Sequence, residues 1–200
     1  MDEVSAFPFL TADEFIKACA HVQPLLSDSA LLADDSACLR VTRRLAAALV
    51  VNADGQEHVD SHLETPTPED HDEEAIIKYS QNGSFVTVHY DILLSPSYRV
   101  PVVYMTASPP LPVSLFFDLV VPHHFRDAMR ETGVMGALSM TDHPLTGMPA
   151  YFVHPCRTAD TMCATKSGDI HVQDYMLLWL GIVGASVGLN VSSADLRRAD

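Results

Sequence analysis

Cys156 is the residue around which reactive chemistry can be assembled in this chain. It stands in the string Tyr151-Phe152-Val153-His154-Pro155-Cys156-Arg157-Thr158. The thiolate is the nucleophilic form of cysteine, and cationic neighbours such as His154 and Arg157 favour it. The same side chain is also among the most commonly buried small apolar groups, so its place on the backbone decides between the two fates.

That place is set by the residues before it. Two aromatics and a valine suit a pleated, half-buried strand. Pro155 cannot donate to a ladder and fixes its own φ, so the strand ends there. Cys156 is thereby expected at a strand exit, on a stiff stretch of backbone.

The other elements are read in chain order. Thr11-Ala12-Asp13-Glu14 forms a capping box that opens an amphipathic helix, with Phe15, Ile16, Cys19 and Val22 on one face and Pro24 closing it. Leu39 to Val51 suits a strand, and Asn52-Ala53-Asp54-Gly55 is turn material. Residues 57 to 74, rich in Asp, Glu, His and Pro, read as a mobile acidic loop, its histidines His58, His62 and His71 lacking a compact ligand spacing. Alternation from Phe85 to Leu94 marks a strand, Ser95-Pro96-Ser97 a turn, and Tyr98 to Met105 a third strand, together an antiparallel hairpin. Pro101 should face outward or mark a bulge. The polar face of the hairpin, with Thr87, His89 and Asp91, and a free strand edge make it an expected recognition edge for protein partners.

Beyond a stiff Ser108-to-Pro112 connection lie two helical segments, Ser114 to Val121 and His123 to Thr132. Short strands are expected at 137–140 and 150–153. Val172 to Leu189 is nearly all apolar and reads as a buried terminal helix, too short to span a bilayer, with Gly181, Gly184 and Gly188 allowing close approach. The order is that of an α+β fold, helices set apart from an antiparallel sheet, in a single domain over residues 1–200.

Composition narrows the function. Lys+Arg number 12 against Asp+Glu 26, for a net charge of −14. Such a chain is repelled by nucleic acid and anionic lipid and would suit a basic protein surface. The acidic N-terminus lacks the blocks of a secretion signal. The cysteines, Cys19, Cys38, Cys156 and Cys163, are widely spread and include no CxxC pair, which predicts reduced thiols in the cytoplasm. No cofactor or metal is expected. A zinc site from His143, His154, Cys156 and Cys163 matches no finger spacing.

Three strings together carry a family resemblance. They are Ser95-Pro96-Ser97-Tyr98-Arg99-Val100-Pro101-Val102-Val103-Tyr104, His143-Pro144-Leu145-Thr146-Gly147-Met148-Pro149 leading into Phe152 to Thr158, and Trp179 to Gly184 with Val187 to Asn190. From about Phe85 onward the chain resembles the autophagy-related protein ten family. That resemblance implies a ubiquitin-conjugating-enzyme-like fold and a cysteine, Cys156, that takes a ubiquitin-like modifier, autophagy-related protein twelve, as a thioester. The activating enzyme would be autophagy-related protein seven, and the acceptor a lysine of autophagy-related protein five. Ordinary ubiquitin-conjugating enzymes supply an oxyanion donor from the asparagine of a His-Pro-Asn tripeptide. Here Leu145 follows His143-Pro144, so His154, Tyr98 or a backbone N–H are the candidate donors.

Two other classes stay open on sequence. A cysteine hydrolase would need a base, for which His171 lies downstream, although Cys156 ends a strand, whereas papain-like nucleophiles open a helix with glycine-rich flanks. A non-catalytic binding module of the same fold would need no accessible thiol.

Overall fold

The capping box forms as its residue types dictate. Thr11 Oγ1 accepts from the Glu14 N–H, and the Glu14 carboxylate accepts from the Thr11 N–H at 2.8 Å and, on its other oxygen, from Ser5 at 2.7 Å. It opens α1, Ala12–Val22, whose buried stripe is Phe15, Ala18, Cys19 and Val22. Ile16 falls outside that stripe and is 38% exposed, while Ala18 takes a place in it. The computed structural model describes residues 2–32, 37–46, 85–131 and 138–191. The chain divides into two units, Met1–Leu45 with Val86–Asp200, and Ala46–Phe85. The expected acidic loop at 57–74 lies outside the described residues.

The sheet has six strands in the order β1-β2-β3-β4-β6-β5. They are β1 Ser29–Leu32, β2 Cys38–Ala46, β3 Phe85–Leu94, β4 Pro101–Ser108, β5 Leu138–Asp142 and β6 Pro149–Val153. All the registered pairs are antiparallel. The β3–β4 hairpin therefore lies inside the sheet, with β2 beside β3 and β6 registered against Tyr104 and Met105 of β4. The edges among the described strands are β1 and β5, so the hairpin is not the recognition edge its alternation suggested. The alternation was real, but the polar face is covered by side chains from β2 and from the turn after β5.

Strand β4 starts at Pro101, later than expected, because Ser95 to Val100 closes a turn. The Ser95 N–H donates to the Val100 carbonyl at 3.0 Å, and Arg99 sits at φ 54°. Pro101 neither faces outward nor marks a bulge. It is the buried first residue of β4, a position at which a missing N–H is tolerated. Its carbonyl accepts from the Trp179 indole N–H at 3.0 Å.

Register assigns the two faces. Tyr90, Met105 and Tyr151 share one face, and Asp91, Tyr104 and Phe152 the other. The first face meets α2 Val113–Val120 and the C-terminal segment that contains α5 Val172–Trp179, against which α1 packs. Phe116 of α2 stacks on Tyr151 at 3.9 Å, and the Tyr90 hydroxyl donates to the Val187 carbonyl. The C-terminal apolar run is α5 followed by a π-helical stretch, Leu180–Gly184. Close approach is needed at two of its glycines. A Cβ at Gly184 would lie 2.6 Å from the Leu189 carbonyl, and Gly188, at φ +71°, abuts Val120; Gly181 has open space.

Two elements escaped sequence reading. The first is β1, four residues long. The other is α4, Thr158–Thr165, which follows Cys156. Between β4 and β5 run α2 and α3, His123–Glu131.

Candidate active site

Strand β6 ends at Val153, and the chain passes through one 3-10 turn, Pro155–Arg157, directly into α4. His154 caps that turn. Its Nδ1 accepts from the Cys156 N–H at 3.2 Å, so the neutral ring carries its proton on Nε2. The same bond commits the Cys156 N–H and withdraws it from other work. Cys156 is half-buried and precedes the N-terminus of α4, the positive end of the helix dipole. The strand exit is where the sequence put it, but a helix opens immediately afterwards. The contrast with papain-like nucleophiles then rests on the flanks of Cys156, which are Pro155 and Arg157 and not glycine.

Tyr98 reaches the same place from the β3–β4 turn, not from a strand. Its ring meets that of His154 edge-on, with centroids 5.6 Å apart and an interplanar angle of 81°. It is 42% exposed. Tertiary structure thus brings Tyr98 to His154, and His154 to Cys156. The row of rings continues inward: His154 to Phe152 at 5.9 Å, Phe152 stacked on Tyr104 at 6.0 Å, and Tyr104 edge-on to His143 at 5.4 Å.

At the far end of that row lies a charged cluster that sequence reasoning missed. Asp91, 4% exposed, is held by Arg40 through two bonds of 2.6 Å, from Nε and from Nη2. His143, 2% exposed, brings Nε2 to 3.1 Å from Asp91 Oδ2, close enough for electrostatic contact without the alignment of a hydrogen bond. Its Nδ1 accepts from the Leu145 N–H at 3.1 Å. The available signal was an aspartate amid β-branched neighbours, with an arginine in the preceding strand able to face it. A cleft of about 440 Å³ opens beside this cluster, lined by Arg40, Asp91, His143, Thr106, Leu111 and Met148 among others; Cys156, His154 and Tyr98 are not in its lining.

Leu145 is 45% exposed, in a turn where the His143 N–H donates to the Met148 carbonyl and the Gly147 N–H to the His143 carbonyl. Its side chain holds no donor. The four sequence candidates for zinc are not gathered, and among the described residues no group of three or more His, Cys, Asp or Glu could hold a metal. His171 is the N-cap of α5, its Nδ1 buried without a hydrogen-bond partner among the described residues.

The cysteines differ sharply. None forms a disulfide. Burial, with the Asp91 charge next in weight, pushes the Cys38 thiol up to about 12, and burial raises Cys19 as well, with Cys38 adding to it. Cys163 is exposed on α4.

The family described as autophagocytosis-associated protein, active-site domain, matches residues 11–194. The chain belongs to this family. Among its relatives, the ubiquitin-like-conjugating enzyme ATG10 of Gibberella zeae is 35% identical over 127 residues, 60% of this chain and 53% of that protein. The enzyme of the same name from Homo sapiens is 29% identical over 123 residues, 58% of this chain and 55% of that protein. The chain spans about half the length of the curated relatives it matches. Among solved structures, the autophagic E2 Atg10 aligns over 91% of this chain and 99% of its own with a TM-score of 0.43 and 15% identity. The family is the one that the Ser95–Tyr104, His143–Thr158 and Trp179–Asn190 strings resemble. Among the described residues, no helix of this family member is long and apolar enough to cross a membrane.

Proposed function

We propose that this chain is a cysteine-dependent conjugating transferase that works as one domain in the cytoplasm. It takes a ubiquitin-like modifier as a thioester on Cys156 and passes it to a lysine of an acceptor protein. The modifier is autophagy-related protein twelve, the activating enzyme autophagy-related protein seven, and the acceptor autophagy-related protein five.

The observation that carries the reading is the half-buried Cys156 at the β6–α4 junction, its N–H held by His154, in a chain whose family match spans an active-site domain. In the first step Cys156 Sγ attacks the thioester carbonyl of the charged activating enzyme. A new S–C bond forms, and the activating enzyme's thiolate leaves. Because one thioester replaces another, the step needs an accessible thiolate more than a strong acid or base. In the second step the acceptor amine attacks, an amide forms, the Cys156 thiolate leaves and the amine proton passes to solvent. The tetrahedral intermediate of this second step carries an oxyanion, and one placed donor contributes about 3 kcal/mol. With the Cys156 N–H occupied, the His154 Nε2–H and the hydroxyl of Tyr98, whose ring meets that of His154, are the candidate side-chain donors.

The test mixes the chain with activating enzyme, modifier and ATP. A reductant-labile adduct is expected with wild type and a reductant-resistant, base-labile oxyester with Cys156→Ser. A thiol-labile adduct persisting in Cys156→Ser would move the reaction to another cysteine. Absence of any adduct, with cleavage of a preformed modifier conjugate, would favour the hydrolase.

A further inference from the structure

We infer that the N-terminal segment Asp2–Leu10 is a strap that positions Tyr98, with Phe9 and Arg99 as the pair through which it acts. The inference rests on the role proposed above for Tyr98. It extends that reading to residues ahead of Thr11, where the family match begins.

The first observation is a conformational cost. Arg99 sits at φ 54°, in the left-handed region where a Cβ is disfavoured and glycine or asparagine is the usual occupant. A side chain kept in such a place points to a use for it. The Arg99 guanidinium lies 4.8 Å above the Phe9 ring, and its carbonyl accepts from the Leu10 N–H at 2.8 Å. Leu10 is buried at 2% exposure, so the strap is anchored where it grips the turn. Within the turn, the Arg99 N–H donates to the Ser95 carbonyl at 2.8 Å and the Tyr98 N–H to Ser95 Oγ at 3.2 Å. Holding Arg99 therefore holds the backbone that presents Tyr98.

The second observation is where the rest of the strap goes. The Val172 N–H donates to the Asp2 carbonyl at 2.9 Å, and the Val4 N–H to the Ile170 carbonyl at 3.0 Å. The Tyr175 hydroxyl donates to the Pro8 carbonyl at 2.6 Å, and Lys166 Nζ stands 4.9 Å over the Phe7 ring. Lys166 is the C-cap of α4, the helix that follows Cys156. One short segment is thus bonded to the connection after α4 and to the turn bearing Tyr98. The two sides of the candidate site are referenced to the same piece of chain. Phe9 and Arg99 are positioning residues: neither touches the reacting atoms.

The experiment follows single-turnover discharge of the preformed thioester to free lysine. It uses Arg99→Gly, Arg99→Lys and Phe9→Leu, each in the wild-type and the Tyr98→Phe background. Arg99→Gly removes the side chain and relieves the left-handed strain together, so its melting temperature should stay near wild type while discharge slows roughly tenfold or more. Charging by the activating enzyme should be unchanged. Arg99→Lys, which keeps a cation over Phe9, should recover most of the rate. In the Tyr98→Phe background, Arg99→Gly should cause no further loss, since both changes remove one interaction. Proton NMR supplies a readout that stability alone would not move: the His154 ring protons lose the ring-current shift from Tyr98 in Arg99→Gly. Should Arg99→Gly fail to fold, Phe9→Leu makes the same test from the other partner. Slow discharge in Tyr98→Phe with wild-type discharge in Arg99→Gly and Phe9→Leu would overturn the strap and leave the Tyr98 reading standing. So would equal losses in the two backgrounds. Wild-type discharge in Tyr98→Phe would overturn both.

Discussion

At the residue scale, the two candidate donors, His154 and Tyr98, carry separable expectations. His154 offers only its Nε2–H to a developing oxyanion, because Nδ1 is taken by the Cys156 N–H. His154→Ala or Tyr98→Phe, whichever removes the donor, should slow single-turnover discharge by about a hundredfold and leave charging intact. Measurement from about pH 6 to about pH 9 brackets the ordinary His and Cys values of ~6.5 and ~8.5. Wild-type rates in both would assign the donor to another backbone N–H or to the acceptor. Asp91 belongs to a different problem. It is buried between Arg40 and His143, so Asp91→Ala leaves a guanidinium and an imidazole facing an apolar gap. Breaking a buried pair costs about 3–5 kcal/mol, reduced here to roughly 2–4 because Arg40 is 38% exposed. The urea midpoint should fall accordingly, and charging and discharge should decline together as the folded fraction drops. A wild-type midpoint for Asp91→Lys would show that the cluster contributes nothing to folding.

At the element scale, α1 gives a pH prediction with a definite sign. Burial works against ionisation of Glu14, but hydrogen bonds from the Thr11 and Ser5 backbone N–H groups and from the Thr11 hydroxyl outweigh it and hold the carboxyl down to about 2. A depressed carboxylate stabilises the fold above its unfolded value and loses that contribution as pH falls through the folded one. The window is therefore between about 4.5 and about 2. Glu14→Gln should lose about 1 kcal/mol at pH 7, a modest figure because the carboxylate stays near solvent. Urea midpoints of wild type and variant should converge by about pH 2. A constant gap across that window would mean that the carboxylate's charge is not what stabilises the cap.

At the scale of the whole molecule, the interior contains buried titratable groups on both faces of the sheet. Burial pushes the Cys38 thiol and the Tyr90 phenol up to about 12, and raises Cys19 and Tyr175 as well. A raised acid stabilises the fold fully below its unfolded value and loses that contribution as pH climbs through the folded one. Melting temperature should thus hold to about pH 9 and fall steadily towards about pH 12. Thermal unfolding followed by far-ultraviolet circular dichroism measures this directly, and a flat profile above pH 9 would contradict the burial. Iodoacetamide footprinting supplies an independent check, with Cys163 labelled in the native state and Cys19 and Cys38 only after denaturation.

Local chemistry made much of this legible in the residues themselves. Thr11 with Glu14 announces a helix start, alternation from Phe85 to Leu94 announces a strand, and Pro155 announces the end of β6, each through forces acting within a few residues. The placement of Cys156 at a strand exit follows from those forces alone. Strand order does not. The same alternation in β3 suits an edge or an interior strand, and pairing with β2 was decided by contacts between residues far apart in the chain, including the clasp of Arg40 on Asp91. Tyr98 was read as strand because its neighbours are β-formers; a turn closed by Arg99 in the left-handed region, and gripped by Phe9 and Leu10, overrode that propensity. Helix α4 was missed because Thr158–Thr165 has little apolar periodicity, and a helix of two turns takes its stability from packing, here through Thr158 and Met162, more than from its own residues. Which nitrogen of His154 meets Cys156, and that Tyr98 lies against its ring, are matters of direction in space, which residue type and spacing do not encode and which the packing of β4, β6 and the N-terminal segment together decide.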